Sequence, residues 1–183
     1  MTGMSAGADE GGPFDAFLRR EATAGLALPP GRLSATEAVL HLHRAANAVR
    51  QHVEQEVLRP RQLTWTGFVV LRTVWAARRI ETRHVAEQAG ISKATLTGVV
   101  DTLSGRGLVK RTIHPDDGRL VVLQLTRGGH RLLRELLPES QHAEAYALSF
   151  LEPAELSRIT AALRGLVDHL ERRGRGGPAL SDG

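Results

Sequence analysis

The sequence predicts a mainly α-helical protein with a small β-wing. Three observations carry that fold class. Apolar residues recur at helical spacing through most of the chain. Between 82 and 105, a glycine-closed helix is followed at once by a serine-capped one. Alternation of the kind strands require occurs at 109–113 and 121–126, on either side of a Pro-Asp-Asp-Gly tip.

The elements follow in order. Residues 1–12 are rich in Gly, Ala, Ser and acid, and read as a disordered tail. Phe14, Phe17 and Leu18 mark a short amphipathic helix to about Ala24, broken by Leu28-Pro29-Pro30-Gly31. A long helix is predicted from about Ala35 to Leu58, with Val39, Leu42, Ala46, Val49 and Val53 on its inner face and Pro60 at its end. Residues 13–58 thus form the N-terminal helices. Thr64 caps the next helix, where Phe68, Leu71, Val74 and Trp75 are expected to face the core.

Thr82 is the expected N-cap of a helix that buries Val85 and Ala86, with Ala89 one turn on. Gly90 ends it, since glycine takes the left-handed conformation at no steric cost. Ile91 fills the corner and Ser92 caps a second helix. There Leu96, Val99, Val100 and Leu103 form one apolar stripe at i, i+3, i+4 and i+7. Ala94, Thr97, Gly98, Asp101 and Gly105 lie opposite. Small, nearly uncharged side chains on that face let a helix backbone sit deep in a groove about 12 Å wide, the width of the DNA major groove. Helix, tight turn, helix and hairpin together describe a winged helix-turn-helix over 62–126.

The tip of the wing is His114-Pro115-Asp116-Asp117-Gly118-Arg119. Arg119 is the charge placed to enter a minor groove, where narrow A·T tracts concentrate negative potential. Asp116 or Asp117 is placed to brace its guanidinium. The alternative is a solvated turn with a surface ion pair.

Beyond the wing, Thr126 caps a helix expected to start poorly at Gly128-Gly129 and to be kinked or split by Pro138. A last helix, about Pro153 to Arg172, carries Leu156, Ile159, Leu163, Leu166, Val167 and Leu170. The tail from Gly174 reads as flexible. Terminal helices this apolar at near-heptad spacing read as a dimer interface, formed by 13–58 and 127–173. The alternative is a monomer with the helices folded back.

Composition agrees with a nucleic-acid partner. The chain has 183 residues and a formal net charge of +4, with a pI near 10.5. Residues 78–131 hold ten Lys/Arg against five Asp/Glu, a basic core segment. Cysteine is absent, which excludes disulfides, thiol redox sensing and thiolate metal sites. No apolar window reaches the roughly eighteen residues of a membrane span. No signal peptide is read at the N-terminus, so a cytoplasmic protein without membrane contact is expected.

The chain resembles the MarR family of bacterial transcriptional regulators. The residues that carry the resemblance are LT at 63–64, Ala86 and Gly90, SKATLT at 92–97, Asp101, Leu103, GLVKR at 107–111, PDDGR at 115–119 and LTRGG at 125–129. Together they span about 36–172, most strongly 84–130. The resemblance implies that residues 92–102 read bases and that Arg119 enters the minor groove. Many relatives carry Arg where this chain has Gly98, so Lys93, Thr95 and Thr97 are expected to do more. The expected DNA-binding set is Ser92, Lys93, Thr95, Thr97, Gly98, Arg106, Lys110, Arg111 and Arg119. The resemblance also implies interlocked terminal helices and hence a homodimer. Its half-sites on double-stranded DNA should lie about one helical turn, roughly 34–36 Å, apart. A repressor is the expected role.

A small-molecule effector between the dimer helices and the reading domain is implied in the same way. His41, His43 and Arg44, with Trp65 and Trp75, are the candidates, and Trp with Arg suits an aromatic carboxylate. The alternative is that the Trp residues are core and the His and Arg residues solvated. A metal-responsive regulator is a second reading. However, no HxxxH or HExxH pair occurs, His41 and His43 point to different sides of a helix, and His130 and His142 could meet only through the tertiary fold. No cofactor is expected. An enzyme on a winged scaffold lacks every motif sought: GxGxxG, Walker, nucleophile elbow and zincin. Nothing in the sequence brings His84 or His114 to Ser92 or Asp116 as a triad.

Overall fold

The computed structural model describes residues 30–113, 117 and 120–176. The chain divides into two units, residues 1–48 and 49–183. In order, the elements are α1 (Pro30–Val53), a π-helical turn (Glu54–Leu58), a 3₁₀ turn (Arg59–Arg61), α2 (Trp65–Ala77), β1 (Ile80–Glu81), α3 (Thr82–Ala89), α4 (Lys93–Gly105), β2 (Val109–Ile113), β3 (Val121–Leu125), α5 (Arg127–Ala147) and α6 (Pro153–Gly176). The mainly helical fold with a small wing is as expected. The amphipathic helix read at Phe14–Ala24, the tail at 1–12 and most of the wing tip lie outside the described residues.

The core of the second unit is one cluster. Phe68, Leu71 and Val74 of α2, Val85 of α3, Val100 and Leu103 of α4, Leu123 of β3 and Leu133 and Leu136 of α5 are at most 1% exposed. Trp75, expected there, is 45% exposed. It lies about 100° round the helix from Val74, off the stripe that meets the core. On α1 only Val53 of the predicted inner face is buried, and Val39 is 62% exposed. The apolar row of α6 is likewise uncovered: Leu156, Ile159, Leu163, Leu166, Val167 and Leu170 are 37–59% exposed.

Several local expectations are corrected. The sheet has three antiparallel strands in the order β1-β3-β2, because Ile80 and Glu81 pair with Leu123 and Val122. Two residues are too few to show a period. With Glu81 drawn into that strand, Thr82 is the first helical residue of α3 and not its N-cap, and Glu81 stands at the cap without a side-chain bond. Pro60 does not stop the long helix abruptly. The backbone passes through the π and 3₁₀ turns and closes at Gln62, which is left-handed at φ 53. Pro138 does not split α5, which runs unbroken from Arg127 to Ala147. Helix α6 continues to Gly176, past the predicted start of the tail.

The glycines read as a weak start to α5 are a packing requirement. A Cβ on Gly129 would collide with the Leu108 carbonyl oxygen, and one on Gly128 would lie 3.3 Å from the Gly107 oxygen. The first turn of α5 thus rests on the backbone where α4 hands over to β2. Thr126 secures it: its hydroxyl accepts from Gly129 N–H at 3.1 Å and donates to the Gly107 carbonyl.

Candidate nucleic-acid interface

The two helices of the turn are closed as their sequence requires. Gly90 takes φ 64 and ψ 34, and its N–H bonds back to Ala86 and Glu87 carbonyls. The Ser92 hydroxyl accepts from Thr95 N–H at 3.0 Å, and the Ser92 and Thr95 hydroxyls lie 2.8 Å apart. One side of α4 is anchored by Leu96, Val100 and Leu103. The other, from Lys93 through Thr97, Gly98 and Asp101 to Gly105, is exposed. A Cβ on Gly98 or Gly105 would meet nothing within 4 Å. The Thr97 hydroxyl donates to the Lys93 carbonyl at 3.0 Å, and that of Thr102 to Gly98 at 3.0 Å. Each hydroxyl keeps lone pairs with which it can accept a further hydrogen bond.

The wing stands beside this helix. Arg111 on β2 donates to Asp101 on α4 at 2.6 Å. A groove of about 520 Å³ between α3, α4 and the hairpin is lined by Arg83, Lys93, Thr97 and Arg111, over Leu96 and Val100. So the structure brings Lys93, Thr97 and Arg111 together and adds Arg83, which the sequence reading missed. Arg83 is two residues before the inward Val85, which already put it on the outer face. Its Nε lies 2.9 Å from Glu81. Lys93 and Lys110 make no ion pair among the described residues. Strand alternation puts Lys110 on the face opposite Arg111, away from the groove.

Arg106 is placed differently. It sits at the far end of α4 and donates to the carbonyls of Gln62 at 2.7 Å and Arg61 at 2.8 Å. Arg119 and Asp116 lie outside the described residues. Asp117 is exposed, and its carbonyl accepts from Leu120 N–H at 3.0 Å within the tip.

His41, His43 and Arg44 belong to the unit of residues 1–48, and the Trp residues to the other. Trp65 is half-buried, its ring centroid 6.2 Å from that of Phe68, and its backbone N–H donates to the Glu54 carboxylate at 2.8 Å. Trp75 is at the opposite end of α2. A cavity of about 700 Å³ lies elsewhere, between the turn after α1 and the second half of α5, lined by His52, Glu56, Val57, Glu139, His142 and Tyr146 among others. The His52 and Tyr146 rings stand 5.5 Å apart. Among the described residues no three His, Asp or Glu side chains are gathered for a metal ion. His130 and His142 are both on α5, roughly 18 Å apart along its axis. No helix of the described residues is long and apolar enough to cross a membrane.

Comparison with known proteins agrees with this geometry. The model of the MarR family matches residues 63–121, from the cap of α2 to the far side of the wing. An uncharacterised HTH-type transcriptional regulator of Bacillus subtilis, YwaE, is 34% identical over 138 residues, covering 75% of this chain and 81% of that protein. The transcriptional repressor MprA of Escherichia coli K12 is 32% identical over 124 residues, covering 65% of this chain and 70% of that one. Among solved structures, BpsR of Bordetella bronchiseptica, whose DNA binding is regulated by 6-hydroxynicotinic acid, superposes with a TM-score of 0.67 at 27% identity. The match covers 72% of this chain and 98% of that one. A capped, exposed helix beside a paired wing, inside a chain that matches these regulators over most of its length, places the protein in the MarR family of transcriptional regulators.

Proposed function

We propose that the chain is a homodimeric repressor that binds a pseudo-palindromic operator. Helix α4 enters the major groove and Arg119 the adjacent minor groove. The observation that carries this is the uncovered face of α4: a helix fixed on one side by Leu96, Val100 and Leu103, and bare of bulk on the other from Lys93 to Gly105. A helix presented this way reaches base edges with Lys93, Thr95 and Thr97. Arg83 and Lys110 supply phosphate contacts that set its register, while Arg111, paired with Asp101, sets the wing against the helix. The exposed apolar row of α6 supports dimerisation, because a row of that length is ordinarily covered in solution. The protein acts in the cytoplasm and catalyses no reaction.

A small effector modulates binding, and the cavity between the α1–α2 junction and α5 is its site. At about 700 Å³ it falls within the range of small-molecule pockets. The regulation of BpsR by 6-hydroxynicotinic acid supports a response of this kind. The test is binding to a labelled duplex from upstream of the protein's own gene, in excess unrelated DNA, at about 50 and 200 mM salt. A competitor-resistant complex that weakens by orders of magnitude at the higher salt is expected. Binding indifferent to sequence, or none at either salt, overturns the operator reading.

A further inference from the structure

Arg106 has the composition of a DNA contact and the geometry of something else. It occupies the C-cap of α4, and both terminal nitrogens of its guanidinium are engaged with backbone carbonyls more than forty residues away in sequence, those of Arg61 and Gln62. Those two residues form the junction between α1 and α2. Gln62 is held left-handed at φ 53, a conformation that residues with a Cβ disfavour. A planar fork across two successive carbonyls fixes both distance and direction, which a single point of contact does not.

The junction is tied onward. Arg61 donates through one nitrogen to Glu139 on α5 at 2.6 Å and through the other to the Val57 carbonyl at 3.4 Å. Glu139 and Val57 are both in the wall of the 700 Å³ cavity. A continuous set of polar contacts therefore runs from the cavity wall through Arg61 to its own carbonyl, and from there through Arg106 to the end of the recognition helix.

We infer that Arg106 is a positioning residue that locks α4 to the α1–α2 junction, and that Arg61 extends this lock to Glu139 in the wall of the effector cavity. The inference rests on the proposed DNA-binding and effector readings and gives the second a physical route. An occupant that draws Glu139 away from Arg61 releases the junction that Arg106 holds. The recognition helix then loses its set angle without any contact to the occupant.

The experiment uses the full chain and four variants: R106Q, R106K, E139Q and the double variant R106Q/E139Q. Each is titrated, at matched active concentration, onto the operator duplex and onto an unrelated duplex across a salt series. R106Q and R106K are both expected to lose about tenfold in operator affinity, since one ammonium cannot span two carbonyls. Affinity for unrelated DNA and the salt slope on the operator should stay unchanged. E139Q should lose at most about fivefold, because the Arg61–Glu139 pair is partly exposed at 30% and 43%. It should lose nothing more in the R106Q background. If Arg106 instead contacts phosphate, R106K will bind as the parent does. R106Q will then weaken both duplexes and lower the salt slope by about one, and the inference falls. Unchanged operator affinity in both Arg106 variants overturns it equally. Additive losses in the double variant overturn the link to Glu139. A parent protein without salt-sensitive operator binding would refute the DNA-binding reading itself, an outcome distinct from all of these.

Discussion

Arg111 on the wing and Asp101 on the recognition helix are joined at 2.6 Å, so the two parts that would enter neighbouring grooves are set against each other by one ion pair. Both side chains are about half exposed, at 41% and 57%. A pair like this adds at most about 1 kcal/mol to stability. Its larger consequence is electrostatic, since Asp101 neutralises a guanidinium in a groove otherwise lined by Arg83 and Lys93.

Replacing Asp101 by Asn removes that neutralisation and leaves the shape alone. Affinity for unrelated DNA should rise several-fold, the salt slope should steepen by about one, and the preference for the operator should fall. Denaturant midpoints should move little. Anisotropy titrations on both duplexes across salt check this. An unchanged slope would show that Arg111 is already free to meet phosphate in the parent protein.

The glycines separate packing from propensity. Gly129→Ala puts a methyl group into the Leu108 carbonyl, and both partners are backbone, so neither can step aside cheaply. A loss of about 3 kcal/mol is expected. Gly98→Ala meets open space on an exposed helix face and should gain about 1 kcal/mol from helix propensity alone. Urea unfolding of the two variants should shift the midpoint in opposite directions. Equal effects would mean that α5 does not rest on the backbone between α4 and β2 as described.

Much of this was legible in the sequence because it is local. The Gly90 closure, the caps at Thr64, Ser92 and Thr126, and the stripe of Leu96, Val100 and Leu103 depend on residues within a turn or two of each other. The same locality made the exposed face of α4 readable. The rest required contacts between distant segments. Ile80 pairs with Leu123 across more than forty positions, so β1 left no periodic trace. Arg106 looked like its neighbours Lys110 and Arg111 until the fold delivered two carbonyls to its guanidinium. The cavity at Glu139 is formed by α5 and the turn after α1, which no spacing rule connects. Gly129 looked like a helix breaker because its reason, the Leu108 carbonyl, lies on another element.

The wing is the second reading head in the proposed complex. Its Arg119→Ala variant should lose operator affinity by about 1–3 kcal/mol and lose most of its preference for A·T pairs at the outer edges of the site. Footprinting on operators with A·T or G·C at those edges measures this directly. If the variant keeps the edge preference, another residue holds the minor groove.

The apolar row of α6 gives the last prediction. Leu163 and Leu166 are 41% and 40% exposed, on a helix whose other large side chains are uncovered along the same side. Within one chain nothing rewards that pattern, since each leucine left in water forgoes roughly 1.5–3 kcal/mol of burial. In a two-fold dimer every such residue is counted twice, so a charge placed among them is repeated across the interface. Leu163→Asp with Leu166→Asp should therefore leave a folded reading domain, because neither side chain belongs to the buried core. It should shift the mass in light scattering from dimer to monomer. Operator affinity should fall far more than affinity for a single half-site duplex, because the two recognition helices would no longer be joined. A variant that stays dimeric would place the interface on other helices and leave the α6 row to another partner.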